Sequence, residues 1–500
     1  MDSSKEIEVG HDQEKPIRQK AWAAGENEKA RIHGWIFPVC LLIAIQAIIL
    51  RIDQRPMFFL GDSASYIWTA LSGWLPPDRS FIYGYFIRLI AVTSKSLTPL
   101  VLAQVLLNCV SSIVMAHLLI SYFRVRPWIA FVMALLTSLE PLQLLYTRYV
   151  MTETLGLAIF AFYVWLGLHY LANPRIVWLA LMHCIATLLI GVRLAFIPTA
   201  WICAVLIPFL AFPAVVAKPR LADVKIINRL ALHAVMSILL VFVFTTAYKH
   251  FHGHLQHKPP GYSYHSGFFA MSFMFPILEA NDFPDETMGH KVLTDLQFPL
   301  TDRRSRAPNH WMEGGVVAHL QEIEPDLLKA DAIAGRAAFH AVMHKPIAFL
   351  HLGWETLTDY FDQIYLQSCT KTDLGDVRLD VELQKLLTTH FGYPSDRLSA
   401  FDLQAPTGQY FLHSVHWFQI LLFLPISWGL LLLAFKKGTQ RRGVLLLGLI
   451  SFLSVSAVIF LVERPTPRYL HTTAWLFFLM AGVGLNRLIC CLSKGKNGCV

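Results

Sequence analysis

The sequence predicts an all-α polytopic membrane protein with about ten transmembrane helices and a large non-cytoplasmic insertion that is α-rich or mixed. Three observations predict it. Of 500 residues, 55% are hydrophobic and only 15% charged, and the mean hydropathy is +0.48. The apolar residues gather into runs near the roughly 20 residues that a bilayer-crossing helix needs, not into amphipathic stripes. Basic residues recur in alternate loops, as the cationic bias of cytoplasmic loops requires.

Residues 1–33 are too polar and too long for a cleaved signal peptide, so they read as a cytoplasmic tail and the run 34–50 as an uncleaved anchor. A first outer loop covers 51–96, and spans at 97–121, 128–146, 154–171, 176–191, 194–217 and 230–248 complete an N-terminal transmembrane module, 34–248. Residues 249–411 form the insertion, broken by Pro259, Pro260, Pro284, Pro299, Pro308 and Pro394. Spans at 412–435, 443–461 and 470–490 make a C-terminal module, 412–490, followed by a cytoplasmic tail, 491–500. With this count Lys15, Arg124, Arg126, Arg175, Lys218, Arg220, Arg229, Lys436, Lys437, Arg442 and Lys496 share one side, which places both termini in the cytoplasm. Counting 344–364 as a further crossing would put Glu355, Asp359 and Asp362 in the bilayer, so an interfacial or extramembrane helix is expected there.

The net charge of +8 belongs largely to this topological bias and to anionic lipid headgroups. No nucleic-acid partner is expected. Eight cysteines are scattered over spans and tails with only Cys369 in the outer segment, which is not a disulfide framework. No internal repeat of the kind that builds many transporters is evident. There is no GxxxxGK[ST] phosphate loop, no GxGxxG, no HExxH and no redox CxxC.

Three polar windows open on the outer face. The first, in loop 51–96, holds Asp62, Tyr66, Asp78, Arg79, Tyr83, Tyr85 and Arg88. Asp62 stands between Gly61 and small residues, where its carboxylate can orient or deprotonate an acceptor hydroxyl, or cap the helix that follows. The second window, 146–154, carries Arg148, Tyr149 and Glu153. Glu153 at a span's start gains from the helix N-terminus, and with Asp62 it forms a pair able to hold a divalent metal ion or to divide substrate orientation and proton removal. The third, 463–469, sets Arg464, Arg468 and Tyr469 beside two prolines that restrict the backbone. Guanidinium forks suit phosphate, and a phosphate leaving group needs such compensation as charge develops on it. Arg148 is a further phosphate candidate, Arg88 and Arg193 weaker ones. Arg88 and Arg193 would otherwise snorkel to headgroups.

Tyr262, Tyr264 and His265 in the insertion, with Tyr66, Tyr83, Tyr85, Tyr149 and Tyr469 in the three windows, are candidates for substrate recognition. The histidines at 250, 252, 254 and 257 lack a complete, well-spaced metal-ligand set. Trp74, Trp311 and Trp354 read as interface packing.

The windows GDSASY, LLYTRYVMTET and ERPTPRYLHTTAWLFF, with a helix beginning HKPIAFL, resemble in order and membrane side the GT-C superfamily of polytopic glycosyltransferases. The similarity is to the lipid-phosphate-sugar-dependent branch that includes protein O-mannosyltransferases and the bacterial aminoarabinose transferase of lipid A. It spans about 34–490, and its individual motifs are short. The resemblance implies a GT-C-like fold, Asp62 as the acidic residue of the first outer loop, Glu153 as a second acidic position and Arg468 beside the carrier phosphate. It also implies a polyprenyl-phosphate or dolichyl-phosphate sugar donor, inversion at the anomeric carbon, and a lipid, glycan or protein acceptor. The expected setting is a bacterial inner membrane with the site facing the periplasm. The competing classes are a polyisoprenoid-linked sugar or lipid transporter and a noncatalytic envelope assembly protein.

Overall fold

The computed structural model describes residues 35–59, 62–212, 224–374, 379, 381–393, 405–435 and 438–494. The tail 1–33, Gly61, Lys218, Arg220, Pro394, Lys436, Lys437, Lys496 and Cys499 lie outside them. The protein is an all-α, multi-spanning membrane protein. Among the described residues seven helices are long and apolar enough to cross a bilayer: Trp35–Ile52, Thr98–Ser121, Glu153–Ala172, Leu194–Ala211, Val224–Gln256, Thr439–Phe460 and Pro467–Ser493. These answer seven of the ten expected spans.

The other three are shorter for local reasons. Run 128–146 is split by Pro141 into Pro127–Ser138 and Pro141–Tyr146, because proline lacks the N–H that would continue the first helix. Ile176–Val192 has 17 residues, short of the roughly 20 that a perpendicular crossing needs. Run 412–435 is broken into Trp417–Leu421 and Leu424–Leu433, its first two residues closing the helix Pro406–His413. Val224–Gln256, by contrast, outruns its expected end at 248 and carries the histidine run as its last turns.

The chain divides into two compact units at Arg51 and Ile52. The described part of the first is residues 35–51, all but the last residue of the helix Trp35–Ile52. In the second unit, one end of the helices collects the basic loops. The Arg126 N–H donates to Asn486, Arg229 to the Pro174 carbonyl, and Arg442 to the Ala211 carbonyl. This agrees with the alternation of basic loops in the sequence, and the polar windows meet elsewhere.

The described part of 249–411 is helical and serves two cores. Residues from Phe268 to Leu352 close a cluster of their own around Phe273, Val316 and Ala334, with Phe460 packed against it. Tyr360, Leu383, Phe391 and Phe411 instead join Ile67, Tyr83, Tyr149 and Leu470 in the core beneath the first outer loop. The helix Ser266–Met274 lies tight on Leu327–His344 because Gly267 presents no side chain. Its N–H donates to the Asp331 carboxylate at 2.7 Å.

Candidate functional site

A short backbone bridge brings the first two polar windows together. Met57 N–H donates to the Arg148 carbonyl at 2.8 Å, and Val150 N–H donates back to Met57 at 2.9 Å. Ser63 reinforces the joint: its hydroxyl accepts from Phe59 N–H and donates to the Val150 carbonyl. The helix Asp62–Ser72 therefore begins beside the start of Glu153–Ala172. Asp62 is not spent as a cap. Its two carboxylate oxygens face guanidiniums, Oδ1 at 2.6 Å from Arg79 Nη2 and Oδ2 at 2.8 Å from Arg468 Nη1.

Arg468 joins the two carboxylates. It sits in the turn Pro467–Leu470, with Thr466 capping that turn through its hydroxyl, and its Nε lies 2.5 Å from Glu153 Oε1. Its guanidinium also covers the Phe59 ring at 4.8 Å. Glu153 is fully buried, and its Oε2 has no hydrogen-bond partner. Arg193 Nη2 approaches Glu153 Oε1 at 3.6 Å. Arg193 Nη1 lies 2.9 Å from His471 Nδ1, and His471 Nε2 lies 2.9 Å from the Glu153 carbonyl. A carbonyl only accepts, so His471 carries its proton on Nε2 and receives the Arg193 hydrogen bond on Nδ1.

Around this centre the charges are paired. Arg79 Nε binds Asp78 at 2.9 Å, and Arg79 lies over the Tyr66 ring at 5.3 Å. Burial opposes the Arg79 charge, but the carboxylates of Asp62 and Asp78 outweigh it and hold the guanidinium above its ordinary range. Burial likewise raises the Tyr66 phenol, which stays neutral. Arg464 Nη2 lies 2.5 Å from Asp373 Oδ1, and the Thr466 hydroxyl binds Asp373 Oδ2. Burial pushes the Asp373 carboxyl up against the opposing pull of Arg464 and Thr466. Tyr360 holds the same loop: its hydroxyl lies 3.2 Å from Thr466 N and 3.3 Å from Thr466 O.

Asp62, Arg79, Arg193, Arg464 and Arg468 line one cavity of about 1180 Å³. Of the tyrosines expected at a binding site, Tyr66, Tyr83, Tyr262 and Tyr469 line it. The other expected residues are placed elsewhere. Arg148 is fully buried, its Nε 2.7 Å from the Asp53 carbonyl and its Nη1 2.8 Å from Thr147 Oγ1, where it braces the start of the outer loop. Arg88 donates to the Ala70 carbonyl and covers the Tyr85 ring. Tyr149 is core, and Tyr264 donates to the Pro259 carbonyl. His265 packs among Phe268, His310 and Trp311.

Sequence reasoning passed over Arg79 and ranked Arg193 low, and it missed Asp373 and His471. Arg79 was visible in the same polar window as Asp62. His471 had a signal, a histidine directly after PRYL at the head of an apolar run. Asp373 had none, because its partners lie about ninety residues away.

The space between Asp62 and Glu153 is filled by Arg468, so these residues do not fit a metal ion bridging the two carboxylates. Among the described residues no group of three or more His, Cys, Asp or Glu side chains is arranged to hold one. What the arrangement offers is a carboxylate and several guanidiniums at one cavity wall, suited to an anion and a hydroxyl held side by side. A scan against protein-family models and searches of curated proteins and solved structures found no match to this chain.

Proposed function

We propose that the protein is an inverting glycosyltransferase that moves a sugar from a polyprenyl-phosphate carrier to a lipid, glycan or protein acceptor at the periplasmic face of a bacterial inner membrane. The observation that carries this reading is the contact of Asp62 with Arg468, 2.8 Å apart on the wall of a cavity large enough for a lipid-linked sugar.

The ion pair supplies a logic for the reaction. A phosphate entering the cavity competes with Asp62 for Arg468 and, in taking its donors, releases Asp62 Oδ2. The freed carboxylate then orients the acceptor hydroxyl. The acceptor oxygen bonds to the anomeric carbon while the bond from that carbon to the phosphate oxygen breaks. The electron pair leaves on the phosphate, where Arg468 compensates it, and the acceptor proton passes to Asp62. A phosphate leaving group needs little protonation, so one carboxylate suffices for proton transfer and Glu153 serves to hold Arg468.

The test supplies purified protein in lipid with polyprenyl-phosphate sugars and candidate acceptors, and identifies products by mass spectrometry. A sugar-bearing acceptor formed by the wild type and lost in Asp62→Asn is the expected result. Carrier movement across the bilayer with no new covalent bond would replace this reading with transport.

A further inference from the structure

We infer that the cavity holds a second anion subsite, built on Lys249 and Tyr262, that takes the anionic headgroup of an amphiphilic acceptor; this rests on the transferase reading and narrows its acceptor to that class. Three of the four arginines on the cavity wall hydrogen-bond carboxylates, Arg79 to Asp62 and Asp78, Arg468 to Asp62 and Glu153, and Arg464 to Asp373, while Arg193 binds His471 and stands 3.6 Å from the buried Glu153. Lys249 lines the same cavity, and among the described residues no carboxylate is paired with its ammonium. An anion drawn to Arg79, Arg464 or Arg468 must displace a carboxylate, and one drawn to Arg193 meets the buried Glu153 beside it, whereas Lys249 has no carboxylate to give up.

The surroundings of Lys249 favour such a guest. Its ammonium stands 4.4 Å from the centre of the Tyr262 ring, and the Tyr262 hydroxyl is buried without a hydrogen-bond partner. An oxygen of a phosphate monoester or carboxylate at Lys249 accepts from both groups and removes the cost of the unsatisfied hydroxyl.

The adjoining wall is amphipathic along its length. Ser266, Phe269, Ala270, Phe273 and Met274 line the cavity at the three-and-four spacing of a single helix face. From 266 to 274 that face runs about 12 Å, at 1.5 Å per residue. It is polar at Ser266, close in sequence to Tyr262, and apolar beyond. Phe273 extends it by edge contacts to Phe349 at 5.8 Å and Phe460 at 6.3 Å. An anionic head at Lys249 with a hydrocarbon chain along Phe269, Phe273 and Phe349 matches this gradient, and a water-soluble glycan does not.

Binding of radiolabelled dodecyl phosphate to the full-length protein in phosphatidylcholine nanodiscs, with protein-free nanodiscs subtracted, tests the subsite without turnover. Saturable binding is expected, weakened at least about tenfold by Lys249→Met and about threefold by Tyr262→Phe, and kept within about twofold by Lys249→Arg. Inorganic phosphate should bind at least about tenfold more weakly, since it has no chain to bury. Unchanged binding in both Lys249→Met and Tyr262→Phe overturns the proposal, and so does inorganic phosphate binding as tightly as the alkyl ester. If Lys249→Met fails to fold, Tyr262→Phe and Lys249→Arg still decide it. Intact Lys249-dependent binding with no sugar transfer to any acceptor counts against the transferase reading and upholds the subsite.

Discussion

Arg468 bridges Asp62 and Glu153, with Nη1 at 2.8 Å from Asp62 Oδ2 and Nε at 2.5 Å from Glu153 Oε1. One guanidinium thus ties the first outer loop, the head of Glu153–Ala172 and the loop before the last span. A fork with donors on two sides does this, and a point charge cannot.

Arg468→Lys is therefore the informative substitution. It keeps the charge and avoids stranding the buried Glu153, but serves one carboxylate at a time. The expected result in the product assay is a rise of about tenfold in donor KM. Asp62→Asn should instead lower kcat by about 100-fold or more, the usual range for a lost proton acceptor, with donor KM no higher than in the wild type because the competitor for Arg468 is neutralised. Equal, small effects of both substitutions on kcat and KM would remove these residues from the chemistry.

Asp373 fixes the Arg468 loop from outside, through Arg464 and Thr466. Asp373→Asn preserves shape while leaving Arg464 short of its counter-charge. A loss of about 1–3 kcal/mol in stability is expected, read as a lower thermal midpoint in lipid. Because the loop also carries Arg468, donor KM should rise in the same variant.

The segment 249–411 should be acid-sensitive through His310. Burial, helped by the neighbouring His265, pushes its imidazole down to about 3 from 6.5, and neither ring nitrogen has a hydrogen-bond partner. The folded value lies below the unfolded one, so the neutral form's contribution is complete above pH 6.5 and is lost as the pH falls toward 3. The slope is at most about 1.4 kcal/mol per pH unit. Thermal midpoints across this window should fall less steeply for His310→Phe than for the wild type.

Gly267→Ala should loosen the wall that carries Phe269 and Phe273. A Cβ there comes within 1.9 Å of the Asp331 carbonyl oxygen, which is backbone and cannot rotate away. About 1–3 kcal/mol of destabilisation is expected, measured by thermal denaturation.

Much of this was legible in the chain. Long apolar runs specify spans because a bilayer demands internally satisfied backbone, and the alternation of basic loops predicts that the windows of Asp62, Glu153 and Arg468 share a face. The misplacements share a cause. Arg148 and Arg88 carry the same charge as Arg468, but Arg148 turns to the Asp53 carbonyl and Arg88 to the Ala70 carbonyl, and those contacts depend on how loops fold back. Run 412–435 has the composition of a span, yet it breaks into short helices, one of which packs Phe418 and Leu421 into the core with Tyr149 and Leu470. Periodicity records which residues avoid water and says nothing of which neighbour shelters them. Lys249 illustrates the converse: nothing in the sequence singles it out, and only the fold sets it on the cavity wall.

The helix Pro346–Asp359 seats Gly353 on Phe460, where a Cβ would fall 2.0 Å from the ring edge. The two positions are therefore constrained as a pair across sequence divergence. Descendants of this chain that acquire alanine or serine at 353 should carry leucine, valine or a smaller residue at 460, and chains that keep the phenyl ring should keep the glycine.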